Sequence, residues 1–409
     1  MGDRRRDKRR GQRTAAIACV AVLAVLVSGC NERDGREAHS GRAVIEVDEP
    51  SALVDRAIET RITGLGPEEK ITVSAGARSP RATWRSRATF RADEDGVVDL
   101  TRDKPLDGSY AKADGMGLFW SLKARKKSVG GFLLPPPQEQ RTYRVRLTVA
   151  GEDGKVRGRR TVTRVRMAEN VRHRHLSVEQ DGLNGSLYLP PKGSPDAAPV
   201  LVVGGSEGGD SGRGKAALLA SHGHPALSLC YFGCTGRPEH LAGIELEYFA
   251  RAARHLLRQD GALPRKLVVM GGSRGSEAAQ LLGQHHPELV EDVVAFASSN
   301  LIGPALADTR EPAWTRHGQS LPPDIPLDRV RGSVLGVAGG SDYLWDAEWL
   351  SRGIAKAGRL LVYENAGHFV GGPPYLPEPT PGYRYGGTRA ADAAAKADAW
   401  PKAMELVRS

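Results

Sequence analysis

A serine flanked by glycines ends an apolar run in Val268-Val-Met-Gly-Gly-Ser-Arg-Gly275, and the helix-like segment SEAAQLLGQHH follows it. The Gly-x-Ser-x-Gly pattern at a strand-to-helix junction predicts a tight turn that exposes the Ser273 hydroxyl. Glycines are needed there because side chains would collide with the strand and the helix. The backbone N–H of Arg274 and the start of the helix would face an oxyanion formed at this turn. The pattern therefore predicts a nucleophilic serine.

A serine hydroxyl is inert at neutral pH without a general base and a group that orients this base. Both occur later in the chain, each after a predicted strand. Asp342 follows SVLGVAGGS, and His368 follows RLLVYENAG, alone among the eleven histidines in such a glycine-flanked loop. Asp346 is the alternative to Asp342 as the orienting acid. We expect Ser273, His368 and Asp342 to act as nucleophile, base and acid.

A second backbone donor to the oxyanion should come from the loop after an early strand. The run Val203-Gly-Gly-Ser-Glu-Gly-Gly209 has this position and the backbone freedom of its glycines. Ser206 or Glu207 is the predicted donor, and the two alternatives stay open. The run does not read as a phosphate-binding loop, because no Gly-Lys-Ser/Thr follows it.

Such residues require a sheet that brings strand ends together. From residue 199 onwards, apolar strand-like runs alternate with helical segments, which indicates an open, mostly parallel α/β sheet covered on both faces. Reactive groups collect at the carboxyl ends of the strands in such a sheet. We therefore expect residues 199–409 to form the catalytic domain. The predicted strands are PVLVVGG (199–205), PALSLCYF (225–232), RKLVVMGG (265–272) and GSVLGVAGG (332–340).

Residues 43–170 instead show short alternating segments separated by turn signals. In RTYRVRLTVAG (141–151), the apolar residues fall on one face and the polar residues on the other. This pattern predicts an immunoglobulin-like β-sandwich, a module for packing or recognition that carries no convergent set of reactive residues. The Pro-rich residues 171–198 are expected to connect it to the catalytic domain. The predicted inward face of RTYRVRLTVAG holds Tyr143, Val145, Leu147 and Val149.

The start of the chain resembles an export signal. Seven lysines and arginines but only two acids lie in residues 1–29, where a short apolar run ends in Val27-Ser-Gly-Cys30. This ending resembles a bacterial lipobox, so we expect residues 1–29 to be a signal peptide and Cys30 to be lipidated. Residues 30–42 would be a tether on the extracytoplasmic face of the cell membrane. The alternative is an uncleaved anchor helix.

The remaining composition excludes several classes of protein. The positive charge outside the signal is spread without a long basic run, so we expect no nucleic-acid partner. The histidine pairs 173/175 and 222/224 lack acidic or cysteine neighbours, and we expect neither a metal nor a cofactor. Cys230 and Cys234 could form a local disulfide, but two buried thiols are the favoured prediction. The sequence leaves the oligomeric state open.

Motifs spread from about residue 45 to residue 405 resemble the family of acyl-CoA thioesterases and bile acid-CoA:amino acid N-acyltransferases. The resemblance implies an α/β-hydrolase fold preceded by a β-sandwich. It also implies that Ser273, Asp342 and His368 are the catalytic residues. The motifs are Asp48–Pro50, Gly64-Leu65, Tyr110, Met116–Trp120, Leu187–Pro191, Leu246–Phe249, the serine turn, Ser341-Asp342 with Trp345, Gly367–Phe369, Pro373–Pro377 and Asp398–Trp400.

The activity implied by the resemblance is hydrolysis of acyl-CoA thioesters through an acyl-serine intermediate. The amino-acid acyltransferases of the family carry a cysteine nucleophile, so Ser273 favours transfer of the acyl group to water. Three alternatives remain. The same triad could cleave a carboxylic ester or lipid outside the cytoplasm, it could transfer the acyl group to an amino acid, or the chain could be a silent binding lipoprotein.

Overall fold

The alternating segments of the N-terminal half form β-strands in the computed structural model, which describes residues 41–124, 131–264, 266–380 and 382–409. The predicted signal, Cys30 and nearly all of the predicted tether lie outside these residues. Val145, Leu147 and Val149 are completely buried and Tyr143 is almost so, while the residues between them are more exposed. The predicted inward face is therefore confirmed.

Two sheets build this first part. A three-stranded sheet has the order β1-β3-β6, and a seven-stranded sheet has the order β2-β10-β9-β4-β5-β7 with β8 also paired to β5. Inward side chains of both sheets share one buried core, as in a β-sandwich. The elements are β1 (Val44–Val47), β2 (Ser51–Leu53), β3 (Thr60–Thr63), β4 (Lys70–Ser79), β5 (Ala82–Arg91), β6 (Val98–Asp99), β7 (Asp107–Gly108), α1 (Gly117–Trp120), β8 (Lys123–Ala124), β9 (Thr142–Gly151) and β10 (Val156–Val165).

An eight-stranded sheet follows, with the order β11-β12-β14-β13-β16-β17-β20-β21. Its first two pairings are antiparallel and the other five are parallel. This is the predicted α/β-hydrolase architecture. The strands are β11 (Arg172–Leu176), β12 (Gly185–Leu189), β13 (Val200–Val203), β14 (Ala226–Leu229), β16 (Leu267–Gly272), β17 (Val290–Phe296), β20 (Val334–Gly339) and β21 (Arg359–Tyr363), and a small separate sheet holds β15 (Ile244–Glu245), β18 (Trp314–Arg316) and β19 (Gln319–Ser320).

Helices cover both faces of the large sheet because its central strands are apolar on both sides. Val200 and Val202 pack in the same core as α3 and α8, whereas Leu201 and Val203 pack in the core shared with α4, α5 and α7. None of the described helices is long and apolar enough to cross a membrane. The helices are α2 (Val178–Asp181), α3 (Arg213–Ser221), α4 (Leu246–Leu257), α5 (Arg274–His285), α6 (Ala347–Leu350), α7 (Arg352–Ala357) and α8 (Arg389–Arg408).

Two parts of this sheet differ from the sequence-based expectation. Residues 171–198 were expected to be a connection, but they contribute β11 and β12 at the antiparallel edge of the sheet. Strand β17 is also absent from the predicted strands, because Glu291 and Asp292 interrupt its apolar pattern. Asp292 is buried and accepts a hydrogen bond from the backbone N–H of Ser333, which satisfies the carboxylate inside the protein.

Helix α8 joins the large sheet to the sandwich. The buried guanidinium of Arg389 donates hydrogen bonds to the backbone carbonyls of Trp120, Ser121 and Leu122 in the sandwich. Burial lowers the pKa of Arg389, and the carbonyl oxygens satisfy the charged group in place of water. The last helix is thereby held in a fixed position relative to the first part of the chain.

Candidate active site

The serine turn lies at the carboxyl end of β16, in the middle of the large sheet. Strand β16 ends at Gly272, α5 begins at Arg274, and Ser273 between them has φ 52° and ψ −125°. A Cβ on Gly275 would lie 2.2 Å from the carbonyl oxygen of Gly204, and one on Gly271 would lie 2.1 Å from that of Gly275. The first and last glycines of the pattern are therefore required by close backbone approach.

Ser273, His368 and Asp342 form a continuous chain of hydrogen-bonding groups. The Nε2 atom of His368 lies 3.0 Å from the Ser273 hydroxyl oxygen, and its Nδ1 atom lies 2.7 Å from Oδ2 of Asp342. The other Asp342 oxygen accepts the backbone N–H of Leu344 at 2.9 Å. The side chains of His368 and Asp342 are 8% and 0% exposed. This geometry allows Asp342 to fix the ring orientation of His368 while the other ring nitrogen faces the serine.

Asp346, the alternative acid, has a different position and contact. It precedes α6, and its Oδ1 accepts the backbone N–H of Trp349 at 2.9 Å. This is the geometry of a helix N-cap. The structure therefore brings Asp342, and not Asp346, to His368.

Contacts with α8 and with the segment before it hold the loop that carries His368 in place. Oδ1 of Asp392 accepts the backbone N–H of Gly367 at 2.7 Å, and the backbone N–H of His368 donates to the carbonyl of Tyr385 at 2.9 Å. Burial raises the pKa of Asp392 to about 6, and the charges of Glu378 and Asp342 add to this rise. No sequence pattern marks Asp392, because its role depends on contact between segments that are distant along the chain.

The loop after β13 lies beside the serine, as predicted. Ser206 and Glu207 line the same cavity as Ser273. However, the N–H of Gly205, which the sequence did not single out, is the one bound by the Glu207 carboxylate, at 3.2 Å. A Cβ on Gly205 would lie 3.1 Å from the Cβ of Ser273, so this glycine is in direct proximity to the serine. Arg274 is placed immediately after Ser273, as the first residue of α5.

The Arg274 side chain is engaged within the protein. Its guanidinium lies 3.3 Å from the fully buried carboxylate of Glu277 and donates to the carbonyl of Gly303 at 3.0 Å. Trp314 donates its indole N–H to Glu277 at 2.7 Å. Burial raises the pKa of Glu277 to about 7, although Arg274 and Trp314 act in the opposite direction. This cluster packs α5, and hence the serine turn, against the loop that contains Gly303.

Tyr231 supports the loop after β13 from behind. Its hydroxyl lies 2.9 Å from the carbonyl oxygen of Gly204 and 3.2 Å from that of Gly205. Because Tyr231 is buried, loss of these bonds would leave buried polar groups without partners. The tyrosine fixes the backbone of the loop next to Ser273.

Tyr231 lies within a disulfide-closed segment. Cys230 and Cys234 are bonded, with their Cα atoms 6.6 Å apart. The prediction of two free thiols is therefore wrong. The chain can turn back within this short segment because Gly233 adopts a positive φ of 70°, and this brings the two Cα atoms within the range that a disulfide spans.

The serine opens into a cavity of about 670 Å³ with a mixed polar and apolar lining. Its charged side chains are Glu207, Lys215 and Arg384, and Phe296 and Phe369 supply aromatic surface. No group of histidine, cysteine or acidic residues suited to a metal ion occurs among the described residues. Ser273 and His368 both line this cavity.

Known proteins resemble this chain over most of its length. A mouse peroxisomal succinyl-coenzyme A thioesterase is 27% identical over 79% of this chain and 84% of its own. A mouse acyl-coenzyme A amino acid N-acyltransferase is 26% identical over 88% and 95% of the two chains. Among solved structures, a dienelactone hydrolase-like promiscuous phosphotriesterase from metagenomic libraries is 17% identical, covers 58% of this chain and 98% of its own, and has a TM-score of 0.40.

Two sequence models of one family match this chain, one in its N-terminal half and one in its C-terminal half. The acyl-CoA thioester hydrolase/BAAT N-terminal region matches residues 55–178, and the BAAT/acyl-CoA thioester hydrolase C-terminal region matches residues 305–408. Together they cover more than half of the chain. The first spans most of the sandwich, and the second spans β20, β21 and α8. The chain belongs to the acyl-CoA thioester hydrolase/BAAT family.

Proposed function

We propose that this protein hydrolyses acyl thioesters, with acyl-CoA as the substrate class. The observation that carries the proposal is the chain of short contacts from Ser273 through His368 to Asp342, at the wall of the cavity. In this arrangement the serine is the nucleophile, and the imidazole, oriented by the buried carboxylate, can deprotonate it as it attacks. The choice of a thioester as substrate rests on membership of the family.

In the proposed reaction, the Ser273 hydroxyl attacks the thioester carbonyl while Nε2 of His368 takes its proton. The C–S bond then breaks, and His368 returns the proton to the departing thiolate, leaving an acyl-serine. Water attacks the ester, again losing a proton to His368, and the proton passes to Ser273 as the free acid leaves. The Asp342 carboxylate stabilises the imidazolium formed in both steps.

The oxyanion would be stabilised by backbone N–H groups on both sides of Ser273. One donor is the N–H of Arg274 at the start of α5, where the helix dipole also favours negative charge. The other comes from the Gly205–Glu207 segment. The Glu207 carboxylate accepts the Gly205 N–H and must release this donor if Gly205 provides it.

Water is the proposed acyl acceptor because the nucleophile is serine. In the amino-acid acyltransferases that the family includes, a cysteine stands at this position. A mouse relative named as an amino acid N-acyltransferase nevertheless matches 88% of this chain. The proposal therefore predicts that the acyl group is released as the free acid even when an amino acid is added as a competing acceptor.

The full-length protein, purified in detergent, tests the proposal with acyl-CoAs of several chain lengths beside oxygen esters of the same acids. We expect thiol release from acyl-CoA, covalent labelling of Ser273 by a fluorophosphonate, and loss of both in Ser273→Ala, with turnover falling ~10⁴-fold or more. Ser320→Ala, at an exposed serine of β19, is the matched control. Faster cleavage of the esters than of every thioester would replace acyl-CoA with an extracytoplasmic ester or lipid as substrate, and labelling of Ser273→Ala would refute the assignment of the nucleophile.

The proposed location is the extracytoplasmic face of the cell membrane, through lipid attached to Cys30. The support is the sequence of residues 1–30, in which a basic start and a short apolar run end in Val-Ser-Gly-Cys. Mass spectrometry of the membrane fraction should find a mature N-terminus at a diacylated Cys30. An unmodified peptide that contains the arginines of residues 4–13 would refute this location.

A further inference from the structure

A lysine lies in the wall of the same cavity. Lys215 is in the first turn of α3, is half-buried, and lines the cavity together with Ser273. Its ammonium would be 3.9 Å from a Cβ placed on Gly272, the residue before the serine, and it lies 5.5 Å from the ring centre of Phe296. The charge is therefore close to the atoms that react.

This ammonium has no close counter-ion in the described part of the chain. The described residues provide it with neither a hydrogen bond nor an ion pair within 4.0 Å. Burial lowers the pKa of Lys215, and the charge of Glu207 acts in the opposite direction. The Glu207 carboxylate is itself bound to the N–H of Gly205. A poorly solvated cation without a partner favours an anion that arrives with the substrate.

The overall charge of the cavity lining favours the same kind of ligand. Two cationic side chains, Lys215 and Arg384, stand against one acid, Glu207. A group that enters this cavity beside Lys215 therefore meets a local positive charge, which attracts anions.

The position of the lysine restricts which anion can reach it. The diphosphate of coenzyme A is separated from the thioester by the whole pantetheine arm, whereas Lys215 lies next to the residue that precedes the nucleophile. An anion that contacts Lys215 while the thioester contacts Ser273 must therefore be close to the carbonyl carbon. A carboxylate at the far end of a short acyl group meets this requirement.

We infer that Lys215 binds the terminal carboxylate of a short dicarboxylic acyl group, so that the enzyme prefers such thioesters to neutral ones of the same length. The inference rests on the proposed thioesterase function and adds a substrate class to it. Lys215 would be a specificity-determining residue that forms an ion pair with the substrate, and it takes no part in proton transfer.

The test compares kcat/KM for succinyl-CoA and butyryl-CoA, whose acyl groups have the same carbon number but differ in terminal charge. In Lys215→Met, which keeps the length of the stem, the ratio of the two values should fall ~30-fold or more, the effect expected for loss of one partner of a buried charge pair. Lys215→Arg should recover most of the ratio. Lys192→Met, at an exposed lysine outside the cavity lining, should leave the ratio unchanged.

A second arm identifies the source of the anion. The same two acyl groups are presented on N-acetylcysteamine, a thiol that carries no phosphate. If the Lys215→Met effect on the ratio persists, the lysine binds the acyl carboxylate. If Lys215→Met instead lowers kcat/KM equally for both coenzyme A thioesters and for neither N-acetylcysteamine thioester, the lysine acts on the phosphates of coenzyme A and the inference is wrong.

The outcomes also separate this inference from the proposed function. Equal losses for both acyl groups in Lys215→Met, or an unchanged ratio, would overturn the role of Lys215 and leave the thioesterase proposal standing. A wild-type protein that releases thiol from neither substrate, nor from longer acyl-CoAs, would instead overturn the thioesterase proposal itself.

Discussion

The carboxylate of Asp392 in α8 accepts the backbone N–H of Gly367, the residue before His368, at 2.7 Å. A helix at the end of the chain thus fixes the loop of the proposed general base. The second oxygen of Asp392 is buried and has no hydrogen-bond partner in the described structure. This carboxylate is ionised at neutral pH in an environment that favours its protonated form.

Asp392→Asn should therefore change how stability depends on pH. Burial raises the pKa of Asp392 to about 6 in the folded state, against about 3.9 in an unfolded chain. The folded state binds the proton more tightly than the unfolded state does. The contribution of Asp392 to the free energy of unfolding therefore decreases as pH rises from about 4 to 6. The asparagine keeps an oxygen for Gly367 and removes the titration. Its thermal midpoint, relative to wild type, should rise between pH 4.5 and pH 8.

Asp398→Asn, in the same helix, is the matched control for the pH experiment. Its pKa is lowered by hydrogen bonds from Lys402 and Tyr363. The sign is therefore opposite, because ionised Asp398 stabilises the fold above its unfolded pKa, and this stability is lost as pH falls. Parallel behaviour of the two variants would contradict the assignment of Asp392.

Asp342→Asn and Asp346→Asn should separate orientation of the base from capping of a helix. The Asp342 variant should lower kcat ~10³- to 10⁴-fold, because the acid fixes the tautomer of His368. The Asp346 variant should lose only about 1 kcal/mol of stability with turnover nearly intact, because Asp346 caps α6. Turnover and thermal midpoint are measured for both. If the Asp346 variant is inactive but has normal stability, the orienting acid is misassigned.

Tyr231→Phe should reduce activity through the loop after β13. The change removes the hydroxyl that holds the Gly204 and Gly205 carbonyls, at a cost of about 1–3 kcal/mol in stability. Because this loop is a proposed source of the oxyanion donor, we expect kcat to fall ~10-fold or more while KM changes little. Tyr188→Phe is the control, since its buried hydroxyl bonds instead to Gln138. Equal kcat losses in both variants would mean that the effect is a general loss of packing.

Gly275→Ala and Gly272→Ala provide a matched pair in the serine turn. An added Cβ at Gly275 would meet the carbonyl oxygen of Gly204 at 2.2 Å, whereas at Gly272 the nearest atom is the flexible Lys215 ammonium at 3.9 Å. We expect the Gly275 variant to lose about 1–3 kcal/mol of stability, as overpacked positions do. The Gly272 variant should unfold near the wild-type temperature. Thermal denaturation of both proteins checks this, and an intact midpoint for Gly275→Ala would contradict the close approach.

Local patterns predicted the parts of this protein whose physics is local. The alternation around Tyr143 specified a half-buried strand, since successive side chains point to opposite faces of a sheet. The glycines around Ser273 specified a tight turn between strand and helix. The order of Ser273, Asp342 and His368, each placed after a strand, specified residues that a parallel sheet brings to one edge, and the structure brings these three together.

The missed features depend on contacts that no local pattern records. Strand β17 contains Asp292, and a charged residue interrupts the apolar pattern that predicts a buried strand. Its burial depends on the hydrogen bond from Ser333, which the sequence does not show. Asp392 and Tyr231 act on loops that are distant along the chain. The bond between Cys230 and Cys234 depends on the path of the chain between them, which their spacing alone leaves open.

At position 273, the backbone conformation favours one residue for stability, while the proposed reaction requires another. A φ of 52° is comfortable for glycine but costs a serine of order 1–3 kcal/mol. Ser273→Gly should therefore melt at a higher temperature than wild type, although it can form no acyl intermediate. Directed evolution of this enzyme for heat resistance alone would favour such inactive variants, so any screen must demand turnover at the same time.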